Sequence, residues 1–192
     1  MYTPKDYKYL LGLPGFSDNS LNTHFTLYEG YVKNTNSILE KFRDGILEHG
    51  TIEGAEVKRR LGWEYNGMKL HEIYFESLSK SPNTLNVESA LGKKIVEHYG
   101  SFENWLETFK KIATMRGIGW TALVKGEDGQ LFTLWFEEHN TGHFANSKVI
   151  VCIDMLEHAF MLDYGTKKAD YVNAFLNSVD WKVCEERFEN NN

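Results

Sequence analysis

The sequence predicts an α+β protein, with an N-terminal helical hairpin followed by helices around a three-stranded antiparallel sheet. Apolar residues at helical spacing dominate the first 78 residues, whereas strand patterns and an Asp-Gly turn appear only after residue 118. Between these parts, residues 79–84 (SKSPNT) indicate a linker, because they combine Ser, Pro and Asn without an apolar residue. We therefore predict an N-terminal α-hairpin domain over residues 1–82 and a C-terminal α/β domain over residues 83–192.

The N-terminal half contains two predicted helices. Apolar residues recur at helical spacing from about Leu21 to Phe42. Ser17 or Ser20 can cap the start of this helix, because a hydroxyl oxygen accepts a hydrogen bond from the free amides of the first turn. A second helical pattern covers about Glu56 to Leu78. Together the two helices predict the hairpin.

The C-terminal half combines helices with a small sheet. An Asp-Gly pair between two apolar strand patterns is a strong hairpin signal, and the run VIVCID supplies a third strand. The predicted elements are, in order, a helix from about Asn86 to Gly100, a helix capped by Ser101, a hairpin turning at Asp128-Gly129, a strand over Val149–Asp154 and a helical tail over residues 168–188.

Composition limits the classes of protein to which this chain can belong. Its 192 residues are 42% hydrophobic, which is enough for one packed domain or two small ones sharing a core. No apolar run approaches the length of about 18 residues that spans a membrane, and the N-terminal residues lack a secretory signal pattern. The net charge of −6, with scattered basic residues, argues against a nucleic-acid partner. Because two cysteines are too few for a disulfide framework, we expect a cytoplasmic location.

The stretch VIVCIDMLEHAFMLDY, residues 149–164, places Asp154, Glu157 and His158 inside a pattern that otherwise indicates a core segment. A buried charge costs several kcal/mol unless it is paired or bound to a metal ion. Other parts of the chain must therefore supply a partner for the Asp154 carboxylate.

Histidines are candidate partners. Four of the seven lie beside aromatic or aliphatic residues: His24, His71, His139 and His158. Taken alone, His24 and His71 are each more typical of core histidines than of ligands. Three imidazoles and one carboxylate nevertheless suit a redox metal such as iron or manganese, and the charge of that ion would neutralise Asp154. The loop residue His143 has no role that the sequence assigns.

Five segments, taken in order, resemble the iron/manganese superoxide dismutase family, and the resemblance covers nearly the whole chain. The segments are HFTLYEGYVKNTN, LHEIYFESL, YGSFENWLETF, GIGWTALV and DMLEHAFMLDY. The last of them is similar to the family signature D-x-W-E-H. The order and spacing of five segments are more specific than any single motif.

The resemblance implies one iron or manganese ion per subunit and the conversion of superoxide to dioxygen and hydrogen peroxide. Its four implied metal ligands are His24, His71, Asp154 and His158. The sequence does not distinguish iron from manganese, because the family uses the same ligands for both.

Further residues have roles that only the resemblance implies. Tyr31 would stand at the entrance and His139 would hold the metal-bound solvent, with Trp120 beside the site. Gly67 would leave room for His139 to approach from the sheet. Glu157 would reach the last ligand histidine of a partner subunit, which implies a homodimer or a tetramer.

The chain also departs from the family. His24 and Tyr31 are one residue closer together than in known relatives, so we predict an uninterrupted α-helix there instead of a π-bulge. Tyr28 or Leu27 stands where the family has a histidine, and Met161 stands where it has the tyrosine that bonds this histidine across the dimer. Both partners of that intersubunit hydrogen bond are therefore missing.

Leu156 and Lys69 occupy positions where the family has tryptophan, and these changes would enlarge the pocket or admit water.

Two other functions remain open from the sequence. One is a non-haem metal oxygenase or a metal hydrolase that uses part of the His/Asp set. The other is a metal-binding member of the family with little activity.

Overall fold

The computed structural model describes residues 1–190, and it confirms the α+β class. A short 3₁₀ helix comes first at Lys8–Leu10. The α-helices are α1 (Asp18–Arg43), α2 (Ile52–Glu76), α3 (Ala90–Tyr99), α4 (Phe102–Ala113), α5 (Glu157–Tyr164), α6 (Lys168–Ser178) and α7 (Trp181–Glu189). The strands are β1 (Gly119–Lys125), β2 (Leu131–Glu137) and β3 (Lys148–Asp154). No helix among the described residues is both long and apolar enough to cross a membrane.

Helices α1 and α2 pack on each other and form the predicted hairpin. Ser17 is the cap of α1, since its hydroxyl accepts the amide hydrogen of Ser20 at 3.0 Å. The helix is α-helical throughout, which confirms the prediction that no π-bulge separates His24 from Tyr31. Helix α2 begins four residues earlier than predicted, because Thr51 caps it and the apolar residue at its start, Ile52, is 86% exposed. Hydrophobic periodicity cannot reveal an exposed first turn.

The sheet has the strand order β2-β1-β3, and both pairs are antiparallel. The predicted Asp-Gly turn joins β1 to β2, and Gly129 has a φ of 79° that suits glycine. In the register of the sheet, Trp120 lies opposite Asp154 at the end of the β1–β3 pair. This end of the sheet faces the helical hairpin, since β3 packs on α2.

The helices around the sheet differ from the predictions at their boundaries. Helix α3 begins at Ala90 instead of near Asn86, because the hydroxyl of Ser89 caps it. The tail forms two helices instead of one: Val179 is extended and bridges Leu78 at the end of the helical hairpin, which breaks the helix between α6 and α7. This bridge involves a partner far away in the sequence, so local patterns could not predict it.

The two halves share one core. Buried apolar residues from both form a single continuous cluster. Arg187, on α7, also joins them, because its guanidinium donates to the hydroxyl of Ser77 at 3.0 Å and to the carbonyl of Ile150 on β3. The division into two domains at residue 82 stays a prediction.

Candidate metal centre

Four predicted ligands meet between the two halves of the molecule. His24 comes from α1, His71 from α2, Asp154 from the last position of β3 and His158 from the first turn of α5. One nitrogen or oxygen atom of each lies within 4.8 Å of all the others. Three of these residues are buried, whereas the side chain of His158 retains 21% exposure.

The Asp154 carboxylate stands at the centre of this group. Its Oδ2 lies 3.2 Å from His24 Nε2, 3.3 Å from His71 Nε2 and 3.0 Å from His158 Nε2. Its Oδ1 accepts the amide hydrogen of Leu156 at 2.8 Å, which fixes the carboxylate just before α5 begins. Three imidazole nitrogens therefore surround one carboxylate oxygen in a buried space.

The hydrogen bonding of His71 indicates that the four residues can hold a positive ion. Its Nδ1 lies 2.6 Å from the carbonyl oxygen of Gly67. Because a carbonyl can only accept, Nδ1 carries the proton and Nε2 presents a lone pair. That Nε2 atom is buried and has no hydrogen-bond partner. An unpaired acceptor facing a carboxylate oxygen is unfavourable by itself, and a positive ion between the two would satisfy both.

The protonation states of two residues suit metal binding. Burial lowers the pKa of His24 to about 4, so its imidazole is neutral near pH 7. Burial alone would raise the pKa of Asp154, but the charge of His158 and hydrogen bonds from His158 and His24 outweigh it and hold that pKa well below its usual value. A neutral imidazole and an ionised carboxylate are the forms that bind metals.

His158 behaves differently. Burial lowers its pKa, but the nearby Asp154 carboxylate outweighs burial, and the net result is a raised pKa. A proton on His158 therefore competes with a metal ion for the same nitrogen.

Tyr31, His139 and Trp120 form a hydrogen-bonded chain beside the four residues. The Trp120 indole nitrogen donates to His139 Nδ1 at 2.9 Å, and His139 Nε2 lies 2.8 Å from the Tyr31 hydroxyl oxygen. Because an indole can only donate, Nδ1 must be the acceptor and Nε2 must carry the proton. Burial lowers the pKa of His139 to about 3 and keeps the ring neutral. His139 therefore donates to Tyr31, and the Tyr31 hydroxyl proton is left for another acceptor.

Gly67 lies against the ring of Tyr31. A Cβ at this position would lie 2.7 Å from Cδ1 of Tyr31, and the three nearest atoms all belong to the Tyr31 ring. The small residue thus makes room for Tyr31, whereas the prediction that it leaves room for His139 stays a prediction. His139 itself lies in a turn just beyond the end of β2.

Two residues near His139 were not predicted as part of the site. The ring of Trp63 lies 4.4 Å from that of His139 and 5.4 Å from that of Tyr31. The Nε2–H group of His143 donates to the His139 carbonyl at 2.8 Å, which gives this loop residue a structural role. The sequence contained a signal for Trp63, because it stands four residues before Gly67 and eight before His71, on the same face of a helix.

The structure shows the surroundings of two residues that depart from the family pattern, Tyr28 and Lys69. Tyr28 is fully buried, whereas Leu27 is 36% exposed, so Tyr28 is the residue that points inward. Its hydroxyl accepts from the amide of Lys5 and donates to Glu72. The ammonium group of Lys69 also binds Glu72, at 3.0 Å. Two of the positions that lack the family residues, Tyr28 and Lys69, thus belong to a polar cluster around Glu72 on the helical hairpin.

The chain is similar over most of its length to proteins of one known family. Residues 87–187 match the family model for iron/manganese superoxide dismutases, C-terminal domain. An iron superoxide dismutase of Saccharolobus solfataricus is 34% identical, over 97% of this chain and 92% of the relative.

Two further relatives differ in the metal that they are named for. An iron superoxide dismutase of Aquifex pyrophilus is 33% identical, over 97% of this chain and 90% of the relative. A manganese superoxide dismutase of Haloferax volcanii is 31% identical, over 97% of this chain and 94% of the relative.

Proposed function

The chain belongs to the iron/manganese superoxide dismutase family, and we propose that it converts superoxide to dioxygen and hydrogen peroxide with one iron or manganese ion. We propose as ligands of this ion the four clustered residues His24, His71, Asp154 and His158. The observation that carries this assignment is the buried, unpartnered Nε2 of His71 facing the Asp154 carboxylate. When bound, the ion supplies the one-electron couple that oxidises one superoxide and reduces the next.

The ligand residues contribute charge and rigidity. Three neutral imidazoles leave the charge of the ion unchanged, while Asp154 reduces it by one. The hydrogen bond from His71 Nδ1 to the Gly67 carbonyl fixes the ring orientation, as is usual for metal-binding histidines. The bond from the Leu156 amide does the same for the carboxylate.

Tyr31 is proposed to bind the incoming anion. Burial, the largest influence, raises the pKa of its hydroxyl, so the group stays protonated and can donate. His139 occupies one lone pair of this hydroxyl, and Trp120 fixes the orientation of His139. The Tyr31 proton is therefore free to donate to an anion at the entrance. The contact of His139 with a metal-bound solvent stays a prediction, because its Nε2 proton is directed at Tyr31.

The assembly that we propose is a homodimer. Glu157 is exposed at the start of α5, close to the metal centre, where a partner subunit could contact it. Met161 and Leu162 on the same helix are 46% and 54% exposed. A monomeric mass in analytical ultracentrifugation at micromolar concentration would contradict the dimer.

We also propose a reducing compartment such as the cytoplasm, since Cys152 and Cys184 are both buried free thiols.

Activity of the purified full-length chain tests the function. The protein is loaded with iron and separately with manganese, and the decay of superoxide is followed directly. We expect removal far above that of the same concentration of free ion with at least one metal. His71→Ala should abolish the gain, whereas His98→Ala, at an exposed histidine, should retain it.

Two outcomes would decide against the proposal. If neither metal-loaded form removes superoxide faster than the free ion, the chain is a metal-binding relative without useful catalysis. If His71→Ala keeps full activity, the four residues are not the site. Comparing the two loaded forms also identifies which metal supports turnover.

A further inference from the structure

Trp63, on α2, contacts both Tyr31 and His139. Its ring meets that of His139 edge to face, with centroids 4.4 Å apart at 63°, and it lies 5.4 Å from the Tyr31 ring. We propose that Trp63 is a positioning residue that holds His139 against Tyr31 through a hydrogen bond to Glu138. The inference rests on the proposed function, because it concerns the two residues assigned to the entrance of that site.

The hydrogen bond joins α2 to the turn that carries His139. The Trp63 indole nitrogen donates to Oε2 of Glu138 at 2.6 Å. Glu138 directly precedes His139 and has a φ of 52°, a left-handed conformation that is uncommon for residues other than glycine. A backbone in this conformation persists only where its surroundings hold it. The bond to Trp63 is one such restraint on the turn.

The indole is itself held on its other side. The Arg60 guanidinium carbon lies 3.7 Å from the centroid of the Trp63 ring, which is a cation–π contact. Arg60 Nε donates to Oε1 of Glu64 at 2.9 Å. Glu64 is only 4% exposed, and its second oxygen accepts from Asn34 at 3.2 Å. Contacts with residues of α1 and α2 therefore fix the position of the indole independently of the turn.

Apart from the His139–Tyr31 bond, the other hydrogen bonds that restrain this turn come from its own side of the molecule. Glu137 and Thr141 exchange two backbone hydrogen bonds, and His143 donates to the His139 carbonyl. These bonds shape the turn, but they do not attach it to α2. Without the Trp63–Glu138 bond, the turn could shift relative to α1 and α2 and carry the His139 proton away from Tyr31.

Paired variants separate the hydrogen bond from simple packing. Trp63→Phe keeps an aromatic ring and removes the N–H donor. Glu138→Asn tolerates the left-handed backbone but is one methylene shorter, whereas Glu138→Gln keeps an acceptor oxygen at the full length. The matched controls are Trp135→Phe, whose ring lies against Gly117, and Glu137→Ala, at an exposed neighbour of Glu138.

The first readout is the exchange of the His139 Nε2 proton with water, followed by NMR in the full-length, metal-free protein. We expect exchange to be about 10-fold faster in Trp63→Phe and Glu138→Asn, because a hydrogen bond to a charged group is lost. Glu138→Gln and both controls should stay close to the wild-type rate. The second readout is the metal-loaded enzyme, where we expect kcat to fall about 10-fold with unchanged metal content.

The outcomes separate this inference from the proposed function. Exchange in Trp63→Phe and Glu138→Asn that matches the two controls would overturn the positioning role, even if the enzyme is active. Faster exchange in both variants with restoration by Glu138→Gln supports the role, even if the metal-loaded wild type fails to dismutate superoxide. In that last case the proposed function fails and the structural restraint stands.

Discussion

At the scale of single residues, Asp154 explains why the site has its shape. It is fully buried, and a carboxylate in that position is unfavourable unless positive charge compensates it. In the metal-free protein the Asp154 carboxylate outweighs burial and raises the pKa of His158, so a proton on His158 offsets the charge. The unpaired His71 Nε2 adds a second reason for a cation at this point. The residues around Asp154 are thus better satisfied with an ion than without one.

Replacing this carboxylate should remove the metal. In Asp154→Asn the amide keeps the shape of the side chain but loses the charge that attracts the ion. We expect the metal content per chain, measured by elemental analysis after purification, to fall more than about 10-fold, because even changes outside the ligand set cost that much affinity. Asp128→Asn, at the exposed hairpin turn, is the control and should bind metal normally. Full metal content in Asp154→Asn would show that the ion binds elsewhere.

The buried histidines also predict how the metal-free protein responds to acid. Burial lowers the pKa of His24 to about 4 and that of His139 to about 3, below the ordinary value of 6.5. Between those values and pH 6.5 the unfolded chain binds more protons than the folded one, so the free energy of unfolding decreases as the pH falls. The effect is roughly 3 kcal/mol or more per histidine over the full window. His158 and Asp154 add little to it, because the raised pKa of His158 changes stability only above about pH 6.5 and the lowered pKa of Asp154 changes it only below about pH 3.8.

Urea denaturation of the metal-free protein at pH 7 and at pH 4.5 measures this decrease. His139→Gln replaces one of the two groups with a side chain that does not titrate, and it should make the decrease smaller. A free energy of unfolding that is the same at both pH values, or an unchanged difference in His139→Gln, would show that these residues are not buried in their neutral forms.

At the scale of the element, one face of α2 builds the site. Trp63, Gly67 and His71 recur every four residues, so they project from the same side of the helix. His71 reaches the metal centre, the Gly67 carbonyl orients it, and the missing side chain of Gly67 admits the Tyr31 ring from α1. The helix–helix contact and the geometry of the site therefore depend on the same three positions.

Adding one methyl group should disturb this face. In Gly67→Ala the new Cβ would lie 2.7 Å from the Tyr31 ring, and overpacking of this kind costs about 1–3 kcal/mol of unfolding free energy. Gly62→Ala is the matched control on the same helix, because nothing lies within 4 Å of its added Cβ. It should stabilise the protein by up to about 1 kcal/mol, since alanine favours the helix. Chemical denaturation of both variants tests the difference, and equal effects would contradict the close contact.

The elements show what local sequence patterns can and cannot predict. The hairpin was predictable because the conformation of its turn depends on Asp128-Gly129 itself. The break between α6 and α7 was not, because it results from the bridge between Val179 and Leu78, about a hundred residues apart. The same holds for the site. His24 alone is ambiguous. The buried Asp154 carboxylate made it a candidate partner, and the resemblance of five segments assigned it as a ligand. Trp63, by contrast, enters through a bond to Glu138 in the other half.

At the scale of the whole molecule, the four residues of the proposed metal centre meet between the two halves. The N-terminal half supplies His24 and His71, and the C-terminal half supplies Asp154 and His158. Since neither half holds the complete proposed ligand set, we expect the free energy of metal binding to be available only when both halves are folded and in contact. The hydrogen bonds of Arg187 and the shared core also connect the two halves, so the folding of one half stabilises the other.

Metal binding should therefore stabilise both halves together. At an ion concentration of 100 times Kd, the gain is about 2.7 kcal/mol, which for a chain of this size raises Tm by roughly 5–10 °C. Hydrogen exchange should slow by a similar factor in α1 and in β1, because opening either half releases the ion. Asp154→Asn should lose the increase in Tm, and Asp128→Asn should keep it. Slower exchange confined to one half would mean that the ion binds within that half alone. This result would contradict a metal site formed by residues of both halves.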